Sequence, residues 1–473
     1  MTSNWQIEKY LDISNGQLHV DGVSSLELAR EFGTPLFVFS EQRIKRNISR
    51  LQKVKDVIDC RLKICYAAKA MSTMAILDVV KNAGCDIEVN SGGELWKALK
   101  IGFAGDQIIF NGTSKEVWEL ESAVKNEIYA IQVDSVYELS LIEGVARAAG
   151  KKANVSLRLV PEIESNTHSG LQTALLTSKF GMMPDEALEA FREFKDSPHL
   201  NLSGIHLHIG SQNPSAAGYA EAFEVLFLNL HQIFNETGIK LSHLNLGGGF
   251  PVNYLRDRKA GEEFPAEQRE MFEADYDPAD AIRNAWNVVS EAARASNAEH
   301  LISDITILLE PGRSIIADAG ICLTTVHNIK QRPIREAIDG YAATNDTWLL
   351  TDAGFNILLS METYKWYYHL ISAQRTAEEH STPYKLAGPL CDGGDVYFDI
   401  EGMRRLPEHR ALPPNVQPGE VLALLNCGAY SLAQASQYNG RFLPPVVLIR
   451  ENGKAERIRK RDTFEDLVSN EIY

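Results

Sequence analysis

Four strand-like segments begin at Ile64, Cys85, Gln107 and Tyr129, a recurrence of 21 to 22 residues. That spacing holds one strand and one helix. Four more strand-like segments follow, at Asn154–Val160, Leu202–Gly210, His243–Phe250 and Thr306–Gly312. After the first, Ile76, Val79, Val80 and Ala83 keep the i, i+3, i+4, i+7 spacing of a helix face, and Gly84 can end that helix. Three strand ends are followed by the pattern S/T-x-x-E, at Ser91/Glu94, Thr113/Glu116 and Ser135/Glu138. In that pattern a hydroxyl caps an orphan helix amide and the glutamate reaches back to the cap's own N–H. From Ile64 to Glu310 the units fill about 250 residues, the usual size of a (β/α)8 TIM barrel. A doubly wound open sheet is the structural alternative. Eight units in succession favour closure.

Beyond Arg313 the pattern changes. The apolar segments ICLTTVHNI, TWLLTDAG, YKLAGPLC, EVLALLNCGAY and PPVVLI are short and broken by Gly, Pro and charge, as in antiparallel strands. Near the start, GQLHV and TPLFVFS are also strand-like and are expected to join that sheet. The expected organisation is therefore N-terminal strands over residues 1–36, a barrel over 37–312 and a β-rich domain over 313–473. The polar, charge-dense stretch Asn253–Asp280 reads as a surface loop or excursion after strand seven.

Charge and cysteine content exclude several classes. The chain of 473 residues carries 47 basic and 63 acidic residues, a net charge of −16, which argues against a nucleic-acid partner and weakly favours cationic small molecules. The six cysteines form no C-x-x-C pair, so no metal site is expected and a reducing compartment is. The N-terminus is polar and no apolar run would span a membrane, so the expectation is a soluble cytoplasmic protein with no membrane partner.

In a (β/α)8 barrel the functional residues lie at the C-terminal ends of the strands. Those ends carry Lys69, Asn90, Asn111, Asp134, His208, Gly247–Gly249 and Glu310. Lys69 has the apolar flank ICYAAKA, which disfavours an ammonium as a Schiff-base lysine requires. Alone it would pass as a solvent-facing lysine. Gly247, Gly248 and Gly249 can present backbone N–H groups to an anion, although a triple glycine is more often a plain turn. After strand seven of a barrel, with Ser211 after strand six and Arg313 after strand eight, the reading is phosphate. Glu310, in EPGR, suits a pyridine nitrogen, and the bland alternative is a surface ion pair with Arg313. His208 can stack on a cofactor ring. His206 is read as a hydrogen-bonded core histidine on the opposite strand face.

Together YAAKA, DIEVNSGGEL, VDSVYEL, SKFG, HLHIGSQ, LNLGGGFP, EPGRS, CDGGD and GAY resemble the fold type III pyridoxal phosphate (PLP) decarboxylases of the diaminopimelate, ornithine and arginine group. The likeness runs from about Phe37 to Asp466. It implies an alanine-racemase-like PLP barrel with a β-domain, and a homodimer with shared active sites. By matching motif it implies Lys69 as the Schiff-base lysine, His208 on the ring, and Glu310 at the ring nitrogen. Ser211, Gly247–Gly249, Gly312 and Tyr430 would hold the cofactor, and Arg313 the phosphate or the substrate carboxylate. Cys391 would be the proton donor and Asp392 a substrate contact, both from the partner subunit, with Tyr430 also near substrate. PLP racemases of this barrel pair the ring nitrogen with arginine, so Glu310 and the Cys391 segment speak against one.

Two departures bear on the substrate. Diaminopimelate decarboxylases usually carry C-E-S-G-D where this chain has Cys391-Asp392-Gly393-Gly394-Asp395, and an arginine for the distal carboxylate shortly after D-A-G. Here Asp352-Ala353-Gly354 is followed by FNILLSMETYKWYY, without arginine. A buried carboxylate lacking a cation is costly. The expectation is lysine or ornithine, with KLAGPLCDGGD resembling the D-ornithine/D-lysine decarboxylase branch. Alternatives are meso-diaminopimelate or a natural-product or siderophore decarboxylase, with Lys365, His369 or Arg404 supplying the missing cation.

Overall fold

Eight short strands, Arg61–Ala67, Asp86–Val89, Ile108–Phe110, Ala130–Val133, Ala153–Arg158, Leu200–His206, His243–Asn245 and Thr306–Leu309, pair in parallel in chain order. The eighth pairs back onto the first, Thr306 opposite Arg61, so the barrel is closed. The computed structural model describes residues 5–160, 178–256, 264–333 and 345–472. Strand interiors such as Ile108–Phe110 and Thr306–Leu309 are buried throughout, because helices cover the outside of a parallel sheet.

Two of the three expected caps form. Ser91 accepts from the Glu94 N–H and Ser135 from the Glu138 N–H, at 3.3 and 3.2 Å. Their glutamates reach one residue further back than expected, to the N–H of Asn90 and of Asp134, both at 2.8 Å. Thr113 caps nothing: that helix starts at Val117, and Glu119 reaches back to the Glu116 N–H at 2.7 Å. The loop after the third strand is longer, which moves the cap three residues on.

The chain divides into two compact units, one of Lys45–Val252 and Ala274–Ile315, the other of Met1–Ile44, Asn253–Glu273 and Ile316–Tyr473. The first is the barrel. In the second, a nine-stranded sheet contains Leu36–Ser40, Gly320–Pro333, Asn345–Thr351, Thr382–Ala387, Val421–Leu424 and Val446–Ile449 among its strands. All five expected C-terminal segments are therefore strands. The sheet is mixed rather than antiparallel, since Leu36–Ser40 runs parallel to Val446–Ile449.

Three boundaries differ from the sequence expectation. Leu36–Ser40 is a fully buried strand of this second sheet, so the barrel starts later than residue 37. Gln17–Val20 pairs with Leu11–Ser14 and Val23–Ser24 in a separate three-stranded sheet, whose Leu18 and Val20 share a core with Leu36, Val38 and Ile321. The described residues of Asn253–Asp280 are no surface loop. Tyr254 and Phe272 are buried against Trp366, at ring-centroid separations of 5.1 and 5.2 Å. Polar composition hid these aromatic anchors.

Candidate active site

The barrel unit brings most of the expected residues to one rim. Lys69 lies in a single helical turn, Ala68–Ala70, directly after the first strand. Ala68 and Ala70 are buried, but the Lys69 side chain is 42% exposed, so the apolar flank does not desolvate the amine as expected. What faces the amine is a charge: Lys69 Nζ is 3.8 Å from Glu88 Oε1, whose side chain is 0% exposed. Gly312 lets the chain after the eighth strand pass this turn, since a Cβ there would come within 3.1 Å of the Cβ atoms of Ala67 and Ala70.

Glu310 is anchored on both oxygens. Asn245 Nδ2 donates to Oε1 at 2.7 Å and Asn111 Nδ2 to Oε2 at 3.0 Å. Burial, then the nearby Glu88 carboxylate, push its pKa up to about 7. The expected surface alternative, an ion pair with Arg313, is not what holds it. His206 Nε2 lies 3.6 Å from Glu310 Oε2, and burial with Arg158 and His208 nearby pushes the imidazole well below its ordinary pKa. The opposite-face reading of His206 is thus corrected: residues two apart in a strand share a face, and His206 belongs to the site.

Asn245 also organises the glycine turn. Its Oδ1 accepts from the Gly247 N–H at 2.8 Å, while the Gly247 carbonyl accepts from the Glu310 N–H at 2.7 Å. Gly247 has a φ of +65°, and a Cβ there would stand 2.5 Å from His208 Nδ1. At Gly248 it would stand 2.4 Å from the Glu310 carbonyl oxygen. The Gly248 N–H donates to His208 Nδ1 at 3.1 Å, which leaves the ring proton on Nε2. His208 is held neutral by burial, with Lys69 and Arg158 adding to the effect. Beside the turn, Arg313 Nε donates to Ser211 Oγ at 3.2 Å. Ser211, the glycine turn and Arg313 thus follow strands six, seven and eight, as expected of an anion cradle.

Glu88, Asn245 and Arg158 were not singled out from the sequence. Alternation along DIEV could have placed Glu88 on the inner face, because Asp86 and Glu88 share it. Arg158 is buried with its guanidinium 4.2 Å from the Phe180 ring centroid. Tyr430, Cys391 and Asp392 lie in the other unit. Tyr430 has a φ of +58°, and Cys391 is exposed, its N–H donating to Asn439 Oδ1 at 2.7 Å. Asp392 Oδ2 accepts from the Tyr438 hydroxyl at 3.2 Å. Among the described residues, no group of three or more His, Cys, Asp and Glu side chains is arranged to hold a metal, and no helix is long and apolar enough to cross a membrane.

These residues fit PLP. A backbone cradle that admits no Cβ faces an arginine and a serine, a partly exposed amine stands at the rim, and a buried carboxylate is held on two amides. Glu88 Oε2 is buried without a hydrogen-bond partner in the same rim. A closed barrel bearing an accessible lysine, a glycine cradle and a buried glutamate defines a pyridoxal-phosphate enzyme of the barrel type. The chain belongs to the pyridoxal-dependent decarboxylases, whose pyridoxal-binding domain matches residues 41–317. It is 32% identical over 468 residues to the diaminopimelate decarboxylase of Methanocaldococcus jannaschii, covering 98% of this chain and 96% of that one. It is 33% identical over 460 residues to that of Aquifex aeolicus, covering 97% and 96%. A crystal structure of the Methanocaldococcus enzyme with L-lysine superposes with a TM-score of 0.81 at 31% identity, covering 98% of each chain. The protein is a PLP-dependent carboxy-lyase that decarboxylates an amino acid, releasing CO2 and an amine. These relatives are diaminopimelate decarboxylases and do not single out the D-ornithine/D-lysine branch that the sequence motifs suggested.

Proposed function

We propose that the substrate is a diamino acid ending in an ammonium, D-lysine or D-ornithine, and that the enzyme works as a cytoplasmic homodimer. The observation that carries the substrate reading is the stretch after Gly354. It has no arginine, and its lysine is already engaged: Lys365 is buried and donates to Glu362 at 2.9 Å. Nor do the other two candidates supply a cation to a buried carboxylate. His369 is held neutral by burial and by Arg410, its pKa pushed down to about 3, and Arg404 is exposed. Asp392, by contrast, offers a carboxylate that suits an ammonium. The exposure of Cys391 and Asp392 suits residues that serve a partner subunit.

In this reading Lys69 would hold the cofactor aldehyde, and His208 would lie on the ring face. Glu310 would meet the ring nitrogen. Ser211, Gly247–Gly249, Arg313 and Tyr430 would take the phosphate, with Gly312 giving the Lys69 turn its room. Bound PLP supplies an electron sink for the pair left on Cα when CO2 departs. Cys391 would supply the proton at Cα, and Lys69 would be the amine that holds the cofactor between turnovers. A second reading, meso-diaminopimelate, is favoured by the relatives named above.

The experiment is CO2 release from D- and L-lysine, D- and L-ornithine, arginine and meso-diaminopimelate. The expected result is a kcat/KM for D-lysine or D-ornithine about a hundredfold above that for diaminopimelate. Turnover of diaminopimelate alone overturns the proposal in favour of the second reading.

A further inference from the structure

Glu88 has no role in the reaction as set out so far, yet it is buried completely, and one amide ties it to the site. Asn111 Nδ2 donates to Glu88 Oε1 at 2.7 Å and to Glu310 Oε2 at 3.0 Å. An amide nitrogen has two protons. Each carboxylate therefore receives one, and the two acids are held on a single donor. The same oxygen, Glu88 Oε1, lies 3.8 Å from the Lys69 amine. The chain of contacts runs Lys69, Glu88, Asn111, Glu310 and Asn245, and ends on the N–H of the glycine turn. A glutamate serving only the fold would not be buried with one oxygen unpartnered.

We propose that Glu88 is a positioning residue for the decarboxylation, which couples the lysine end of the site to Glu310 through Asn111. This rests on the roles given above to Lys69 and Glu310. The physical basis is mutual. The anion at Glu88 favours a protonated nitrogen on Lys69, and the same anion disfavours a second negative charge on Glu310. When Lys69 carries charge, Glu88 is neutralised and Glu310 is freer to ionise. The other charged groups that bear on Glu88 are Glu94, from the helix that follows, and Arg158, from the fifth strand. Neither shares the Asn111 amide.

The test is Glu88→Gln in the PLP-loaded enzyme, with two readouts. The visible absorbance of the lysine-bound cofactor is titrated with pH, and kcat is measured separately from KM. The expected midpoint falls by about one pH unit, because the protonated nitrogen loses its neighbouring anion. A roughly tenfold loss of kcat with KM little changed should accompany it. Glu88→Asp keeps the charge with a shorter reach and should recover part of the midpoint shift. In Asn111→Ala, adding Glu88→Gln should change kcat by less than it does in the native background. A wild-type midpoint and kcat in Glu88→Gln overturn the proposal, as do fully additive effects. Loss of cofactor from both Glu88 variants would show a structural role and overturn it as well. Failure of the underlying reading looks different: Lys69→Ala would then keep the chromophore.

Discussion

The first two barrel strands carry a lysine–carboxylate pair at each mouth, and the two pairs are built differently. At the N-terminal mouth Lys63 Nζ meets Asp86 Oδ2 at 2.6 Å and lies 4.7 Å from the Tyr129 ring centroid. At the C-terminal mouth Lys69 stands 3.8 Å from Glu88, and that carboxylate shares its amide donor with a second one. The lower pair is in direct contact and charge-matched. The upper cluster gathers two buried carboxylates, Glu88 and Glu310, near Lys69 and Arg158, with one amide donor shared between the acids. A single pair fixes geometry, whereas a cluster of several charges that share a donor can redistribute its charge when a ligand arrives. The barrel thus separates holding its strands together from doing chemistry, over two residues of one strand.

The largest break in that comparison is to remove each lysine in turn. Lys69→Ala should abolish the visible chromophore and lower kcat by about a thousandfold or more, since Lys115, the amine after the third strand, is already engaged by Gly112, Gln132 and Glu138. Lys63→Ala should keep chromophore and kcat and cost about 1 kcal/mol of stability, the pair being partly exposed. Absorbance, CO2 release and urea unfolding measure the three effects. Loss of the chromophore in Lys63→Ala would show that the two mouths are not independent. A smaller break is Glu310→Gln, which keeps the shape but removes the charge and, since an amide nitrogen cannot accept, keeps only one of the two contacts from Asn245 and Asn111. Its kcat should fall about a hundredfold with cofactor still bound.

The barrel was legible because its first four strands recur at a steady interval, each followed by its helix, and four more strand-like segments come after them. The rim residues then followed from strand direction alone, which is how Lys69, His208, Gly247–Gly249, Glu310 and Arg313 were found. What stayed hidden depends on pairs of residues distant in sequence. Asn111 and Glu310 meet only because the third and eighth strands curve round the same interior, and no local pattern reports that. His206 was misplaced although alternation puts it beside His208. Thr113 matched a motif whose helix starts three residues later. Asn253–Asp280 looked like solvent-facing chain because two aromatic anchors among many charges barely alter its composition. The substrate is the least legible feature, since the absence of an arginine says only what the pocket does not favour.

The finest distinction between the two mouths is the sign of their pH dependence. Glu310 is raised from its ordinary 4.5 to about 7. Between those values the folded chain holds a proton that the unfolded chain has lost. Its contribution to stability is therefore full below about 4.5 and is lost as pH rises through about 7. At the other mouth His243 is buried beside Tyr129, their rings 5.3 Å apart, and burial lowers its pKa from 6.5 to about 3. Here the unfolded chain binds the extra proton, so the contribution is full above about 6.5 and is lost as pH falls toward 3. In cofactor-free protein, Glu310→Gln should flatten the fall in Tm between about pH 5 and 7. His243→Phe keeps a ring against Tyr129 and should make the acid limb shallower, by roughly 1–2 kcal/mol at pH 5 relative to pH 8. Thermal unfolding across that range reads both. Because His206, His208 and His369 titrate in the same direction as His243, the His243 effect is only a fraction of the acid limb, and it should leave kcat at pH 8 unchanged. An acid limb in His243→Phe as steep as the wild type would mean that His243 takes up its proton in the folded barrel, and that the N-terminal mouth is wetter than the burial of His243 implies.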